Sequence, residues 1–124
     1  MKEDTIHTIH NPNGISAKIL NFGGIIHEIN TPDRNNNFKN IVLNYQDIND
    51  YYNDSYYIGA AIGRYANRIK NGIFKLNYET YYLEKNDGEN HLHGGSNGFH
   101  KVNWNLVNKS NRSIHLRHLC NEKT

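Results

Sequence analysis

Apolar and polar residues along this chain change places over short runs bounded by turn residues, and no long stretch repeats at the three-to-four spacing of an amphipathic helix. Residues 15–20 predict a first strand, set off by the turn Asn11-Pro12-Asn13-Gly14. Phe22-Gly23-Gly24 interrupts, as glycines do at a tight bend or a close backbone approach, and residues 25–30 resume the strand pattern. Residues 31–37 read as a loop, and Ile41-Val42-Leu43 as a short apolar strand. Residues 47–52 predict one helical turn with Asp47 as its N-cap. Residues 57–62 are apolar on both faces and should be buried. Residues 73–76 and 81–83 flank Asn77-Tyr78-Glu79-Thr80 as a hairpin. Residues 102–107 alternate around Trp104 and Leu106 as a half-buried strand does, and Ile114, Leu116 and His118 alternate in the same way. Strands spaced this closely, with turns between them, predict an all-β, antiparallel fold.

Composition narrows the class. The 124 residues suit one domain or a piece of one, with 36% hydrophobic and 21% charged residues, too few charges for the strongly charged kind of disorder. The net charge is +2, and Lys and Arg never run five together, so nothing electrostatic points to nucleic acid or an anionic membrane. Cys120 is the one cysteine, which excludes an internal disulfide and favours a reducing, cytoplasmic setting. Residues 1–10 lack the apolar core of a signal peptide, and no stretch approaches transmembrane length. The three Asn-x-Ser sequons, at Asn53, Asn108 and Asn111, are expected by chance in an Asn-rich chain.

Two segments carry chemistry. In Gly63-Arg64-Tyr65-Ala66-Asn67-Arg68-Ile69, small residues permit close packing, and Asn67 and Arg68 then offer an amide and a guanidinium together. Sugar hydroxyls, each both donor and acceptor, need such groups; a surface Arg beside a turn Asn is the plainer alternative. In Asn90-His91-Leu92-His93-Gly94-Gly95, two histidines stand two apart and share a face if the segment is a strand. A metal site would need a third ligand, and a phosphate loop at residues 94–98 lacks its lysine and its strand–helix frame. A sugar contact needs one imidazole, whereas a solvent-facing pair needs nothing; the latter suits His91 better than His93. The aromatics read mainly as strand and core residues, with Tyr51-Tyr52 and Tyr56-Tyr57 covering an edge.

Together these segments resemble the aldose 1-epimerase (galactose mutarotase) family. Asn21-Phe22-Gly23-Gly24 with its Pro32-Asp33-Arg34 loop, Ile41-Val42-Leu43, the Asn67-Arg68-Ile69 signature and Leu92-His93-Gly94-Gly95 followed by Gly98-Phe99 and Trp104 line up in the family's order over residues 15–108. The resemblance implies a large antiparallel β-sandwich, incomplete in this chain, with a sugar cleft across one sheet. It implies interconversion of the α- and β-anomers of galactose or glucose through the open-chain aldehyde. A carboxylate takes the O1 proton and a histidine protonates the ring oxygen, with no metal or cofactor. Asn67, Arg68 and His93 map to sugar-hydroxyl contacts, His93 with an auxiliary part at the ring oxygen. The catalytic His and basic Glu lie beyond Trp104 in the family. His115 and His118 come too early, so no catalytic residue is assigned here.

Residues 1–112 are therefore expected to form the N-terminal part of the domain. Residues 113–124 read as an atypical tail of a truncated, frameshifted or split-gene product, which implies an inactive fragment. Unpaired strand edges would favour self-association or completion by a second polypeptide. The alternatives are a non-catalytic carbohydrate-binding β-domain and a residual product without function.

Overall fold

A computed structural model describes residues 5–120; the polar ending at residues 121–124 and the first four residues, part of the segment read as lacking a leader, lie outside the described residues. The all-β antiparallel class expected from the sequence is what the chain adopts. Strands β1 (Ile6–His10), β2 (Ser16–Leu20), β3 (Ile26–Pro32) and β4 (Phe38–Asn40) form one sheet in the order β1-β2-β3-β4. The β1–β2 turn is tied by the Asn11 side chain, whose Oδ1 accepts from the backbone N–H groups of Asn13 and Ile15, both at 3.0 Å. The predicted bend at Gly23 is a close approach. Its φ is +65°, its N–H donates to Val102 O at 2.8 Å, and a Cβ there would lie 2.7 Å from His100 O.

Leu20, Phe22, Ile25 and Tyr51 make the core, with Tyr45, Ile48, Ile58 and Ala60 packed against it. Each of the large apolar side chains contributes roughly 1.5–3 kcal/mol on burial. Tyr51 arrives on a 3-10 turn, Ile48–Asn53, whose Asp47 cap accepts from Asn49 N at 2.9 Å. The helical turn and its cap thus stand as expected, but Tyr51 does not cover an edge: it is 2% exposed. Its hydroxyl accepts from Tyr45 N (3.4 Å) and shares a hydrogen bond with His27 Nδ1 (3.0 Å), which satisfies both polar groups inside the core.

Three other expectations are corrected. Residues 41–43 form no strand, and Ile41 and Leu43 are 65% and 76% exposed. The turn after β3 closes within residues 33–37 through Asp33 Oδ1, which accepts from Asn35 N and Asn37 N, so pairing begins at once with Phe38. Asn40 Oδ1 then takes the N–H groups of Ile29 and Val42 and ends the ladder. Residues 57–62 form no strand and are half-buried at most positions; positive φ at Tyr57 and Gly59 breaks the extended path, though Ile26 N donates to Gly59 O and Ala61 N to Gly23 O. Residues 102–107 are displaced too: the strand runs from Asn105 and is exposed on both faces.

The second half of the chain is built of paired ribbons. Strand β5 (Arg68–Ile69) pairs with β8 (His91–Leu92), β6 (Ile73–Leu76) with β7 (Glu79–Tyr82), and β9 (Asn105–Lys109) with β10 (Ile114–Arg117). The hairpin expected around residues 77–80 forms with a shorter connection: Glu79 and Thr80 already pair in β7, and the chain turns on Asn77 and Tyr78 alone, both at positive φ (48° and 67°), the geometry of a two-residue turn that follows strand twist.

Candidate functional site

The β5–β8 ladder is only two pairs long, Arg68 opposite Leu92 and Ile69 opposite His91, and it joins the two chemistry-bearing segments. One step beyond it, Asn67 and His93 both take positive φ (66° and 54°) and lock together. The His93 N–H donates to Asn67 O at 3.1 Å, and the Asn67 N–H donates to His93 Nδ1 at 2.9 Å. Because His93 has left the strand conformation, the face shared by His91 and His93 does not arise. His91 is 8% exposed rather than solvent-facing, with its Nδ1 donating to Glu84 O at 2.8 Å.

Arg68 points its Nε at Asp87 Oδ2, 2.6 Å away, an ion pair whose two side chains keep 53% and 35% of their exposure. Asp87 is held in turn by a pair of backbone hydrogen bonds with Asn90. Asn86 completes the edge of β8, donating to Leu92 O (2.9 Å) and accepting from Leu92 N (2.8 Å). Glu84 accepts from the Ser96 hydroxyl and from Ser96 N. The hydroxyl bond first, then the amide bond, with the nearby His91 adding least, hold its carboxyl below the usual range against the opposing effect of burial.

Arg68 borders a cleft of about 670 Å³. Its walls include Ile69, Phe74, Leu83, Phe99 and Val102, with Arg64 and Lys70 as further cations. Asn67 and His93 are not among its lining residues, although Gly94 is. The structure thus brings Asn67 and His93 into direct contact, while Arg68, the next residue in the chain after Asn67, borders a cleft that neither of them lines. Among the described residues, no three His, Cys, Asp or Glu side chains could hold a metal ion.

Three neighbours of the site escaped the sequence reading. Asp87 stands just before the Asn90–Gly95 segment, and nothing near it in the sequence marks Arg68 as its partner. Tyr57 packs its ring against the imidazoles of both His93 and His100, with centroids 4.8 and 4.7 Å away. His100, 8% exposed, has no hydrogen-bond partner at Nδ1. Burial, Lys101 and His93 push its pKa down against the pull of Asp54. Only the run Gly98-Phe99-His100, close after the Gly94-Gly95 pair, hinted at it.

The profile described as aldose 1-epimerase matches residues 5–123 of the 124. The chain belongs to the aldose 1-epimerase family. It is 38% identical over 104 residues to the aldose 1-epimerase of Streptococcus thermophilus, covering 84% of this chain and 30% of that protein. It is 40% identical over 90 residues to the human galactose mutarotase, covering 73% of this chain and 26% of that one. The crystal structure of an aldose epimerase homologue from C. elegans superposes with a TM-score of 0.92 at 31% identity, covering 98% of this chain and 37% of that chain. A galactose 1-epimerase from Lactobacillus acidophilus superposes at 0.72 with 30% identity over 85% of this chain and 30% of that chain. The fold is therefore galactose mutarotase-like. The chain spans roughly a quarter to a third of the length of the curated relatives it matches.

In this aldose 1-epimerase family chain, the two signature segments meet through glycine. Gly94, at φ +92°, lies so close to Gly63 that an added Cβ would fall 1.8 Å from Gly63 O. Gly63 O also accepts from Phe99 N at 3.1 Å, which fastens the loop after His93 to the segment before Arg68. Strand β10 pairs with β9 through Ile114–Arg117, so the first part of the segment read as an atypical tail has sheet structure, and the family match runs past it.

Proposed function

We propose that this chain carries part of the hexose-binding site of an aldose 1-epimerase, an isomerase of carbohydrate metabolism acting on galactose or glucose, with Asn67, Arg68 and His93 contacting sugar hydroxyls. The observation that supports this most is the direct interlock of Asn67 with His93 beside the Arg68–Asp87 pair, within the segments that match the family. An amide, a guanidinium and an imidazole in one neighbourhood supply the mixed donors and acceptors that vicinal hydroxyls require.

Mutarotation needs more. A base must take the O1 proton while an acid protonates the ring oxygen, so that the bond from C1 to the ring oxygen breaks and the aldehyde opens; reclosure on the other face reverses both transfers. The carboxylates next to the site are already engaged, Glu84 by Ser96 and Asp87 by Arg68. We therefore assign no base, and the 124-residue polypeptide by itself does not catalyse. Polarimetry on fresh α-galactose, against free imidazole at matched concentration, tests this. A rate well above imidazole, lost in His93→Ala, overturns the inactive reading. NMR titration with galactose and glucose tests binding; spectra unchanged at high sugar overturn the site.

The polypeptide is further proposed to self-associate or to be completed by a second polypeptide. β9 is exposed throughout, and Ile41, Leu43 and Leu119 face solvent. Sedimentation that returns a single monomer removes the self-association reading. A cytoplasmic setting is supported by the single cysteine; among the described residues no helix is long and apolar enough to cross a membrane.

A further inference from the structure

We propose that the Asn67 backbone and the Tyr57 ring are positioning elements that hold the neutral form of His93 as a single tautomer, with the proton on Nε2, making it a hydrogen-bond donor to an acceptor oxygen of the ligand. The identity of that ligand rests on the hexose reading above; the tautomer does not.

A backbone N–H can only donate. The Asn67 amide lies 2.9 Å from His93 Nδ1, so that nitrogen must present its lone pair, and a neutral imidazole then carries its hydrogen on Nε2. The bond is not a chance approach of two flexible groups. The return bond, His93 N to Asn67 O at 3.1 Å, closes a ring between the same two residues, and both sit at left-handed φ that aims the Asn67 N–H out of the ladder and toward the imidazole. The ring is braced on another side by Tyr57, edge-on at 4.8 Å and 68°. Tyr57 itself stands at φ +59°, unusual for a bulky residue. It is held there by Ala60 N donating to its carbonyl at 3.2 Å, with His100 also packed against its ring at 4.7 Å.

His91 provides the contrast within the same chain. Its Nδ1 faces a carbonyl, Glu84 O, at 2.8 Å, and a carbonyl can only accept. His91 therefore carries hydrogen on Nδ1. Two histidines two residues apart are thus held as opposite tautomers, one directed inward to close the structure and the other leaving Nε2–H without a partner among the described residues. A donor at His93 favours a ligand that offers lone pairs, such as ring or hydroxyl oxygens of a sugar, over one that offers only donors.

The test is long-range proton–nitrogen correlation NMR on the full chain with ¹⁵N-labelled histidine, about 1.5 pH units above the ordinary imidazole value of ~6.5 so that neutral rings dominate. The expected result is a pyridine-type Nδ1 and a pyrrole-type Nε2 for His93, and the reverse for His91. A His93 with hydrogen on Nδ1, or with both nitrogens averaged, overturns the proposal. Tyr57→Phe should leave the His93 pattern intact, whereas Tyr57→Ala should let it average while His91 stays fixed. Tyr57→Leu, of closer bulk, replaces Tyr57→Ala if the latter does not fold. A His93 pattern unmoved in the folded truncation removes Tyr57 from the assignment. If the tautomers stand as stated but galactose moves no resonance, the positioning is upheld and the hexose reading is the one that fails.

Discussion

Replacing Gly94 with alanine tests the contact on which the site depends. The added Cβ would fall 1.8 Å from Gly63 O, 2.5 Å from Gly63 C and 3.0 Å from Arg64 N, all backbone atoms that cannot swing aside as a side-chain end could. Gly94 also stands at φ +92°, outside the range alanine adopts comfortably. The conformational cost is about 1–2 kcal/mol and the overpacking cost about 1–3 kcal/mol, together a loss of about 2–5 kcal/mol. Against a typical domain stability of about 5–15 kcal/mol, that is a large fraction. Gly88→Ala is the matched control, because Gly88 has φ +57° but nothing within 4 Å of its Cβ position. It should lose only the conformational part, about 1–2 kcal/mol. Urea unfolding followed by Trp104 fluorescence measures both, and galactose titration of the folded variants measures the site. The expected order is a clear loss of stability and of sugar binding for Gly94→Ala, with binding retained in Gly88→Ala. Equal stability of the two variants within about 0.5 kcal/mol would refute the claim that backbone contact between the two signature segments organises the site.

Further outcomes follow from the same geometry. Tyr51→Phe should cost about 1–3 kcal/mol in urea unfolding, because it strips the buried His27 Nδ1 of its hydrogen-bond partner at 3.0 Å; a change under about 0.3 kcal/mol counts against that network. Asp87→Asn should leave stability within about 1 kcal/mol, since the pair is half exposed, yet weaken hexose binding several-fold in NMR titration by releasing the Arg68 fork. Unchanged affinity would detach Asp87 from the site. Glu84 has a folded pKa below its ordinary 4.5, so the folded chain holds that proton less tightly than the unfolded one. Its stabilising effect is fully present above that value and is lost as pH falls below it through the lower folded pKa, so Glu84→Gln should flatten the acid limb of the stability-against-pH curve.

What could be read from the sequence was what neighbouring residues settle among themselves. Asn11 ties its own turn, Asp47 caps the turn that follows it, and Asn77-Tyr78 reverses the hairpin, each with partners a few residues away. Family likeness brought Asn67, Arg68 and His93 forward as a set, but periodicity alone could not have joined residues that stand 26 apart. Tertiary structure decided the rest. Residues 41–43 look as strand-like as any run, yet Asn40 ends the ladder before them by taking backbone N–H groups from two different segments. Tyr51 reads as a surface aromatic until His27, from β3, supplies the buried hydrogen-bond partner its hydroxyl needs. His91 and His93 look like twins, and only the atoms opposite them, a carbonyl for one and an amide for the other, make them chemically different. Local chemistry is written in adjacent residues. Burial, pairing and protonation depend on which distant backbone group arrives, and the packed chain alone determines that.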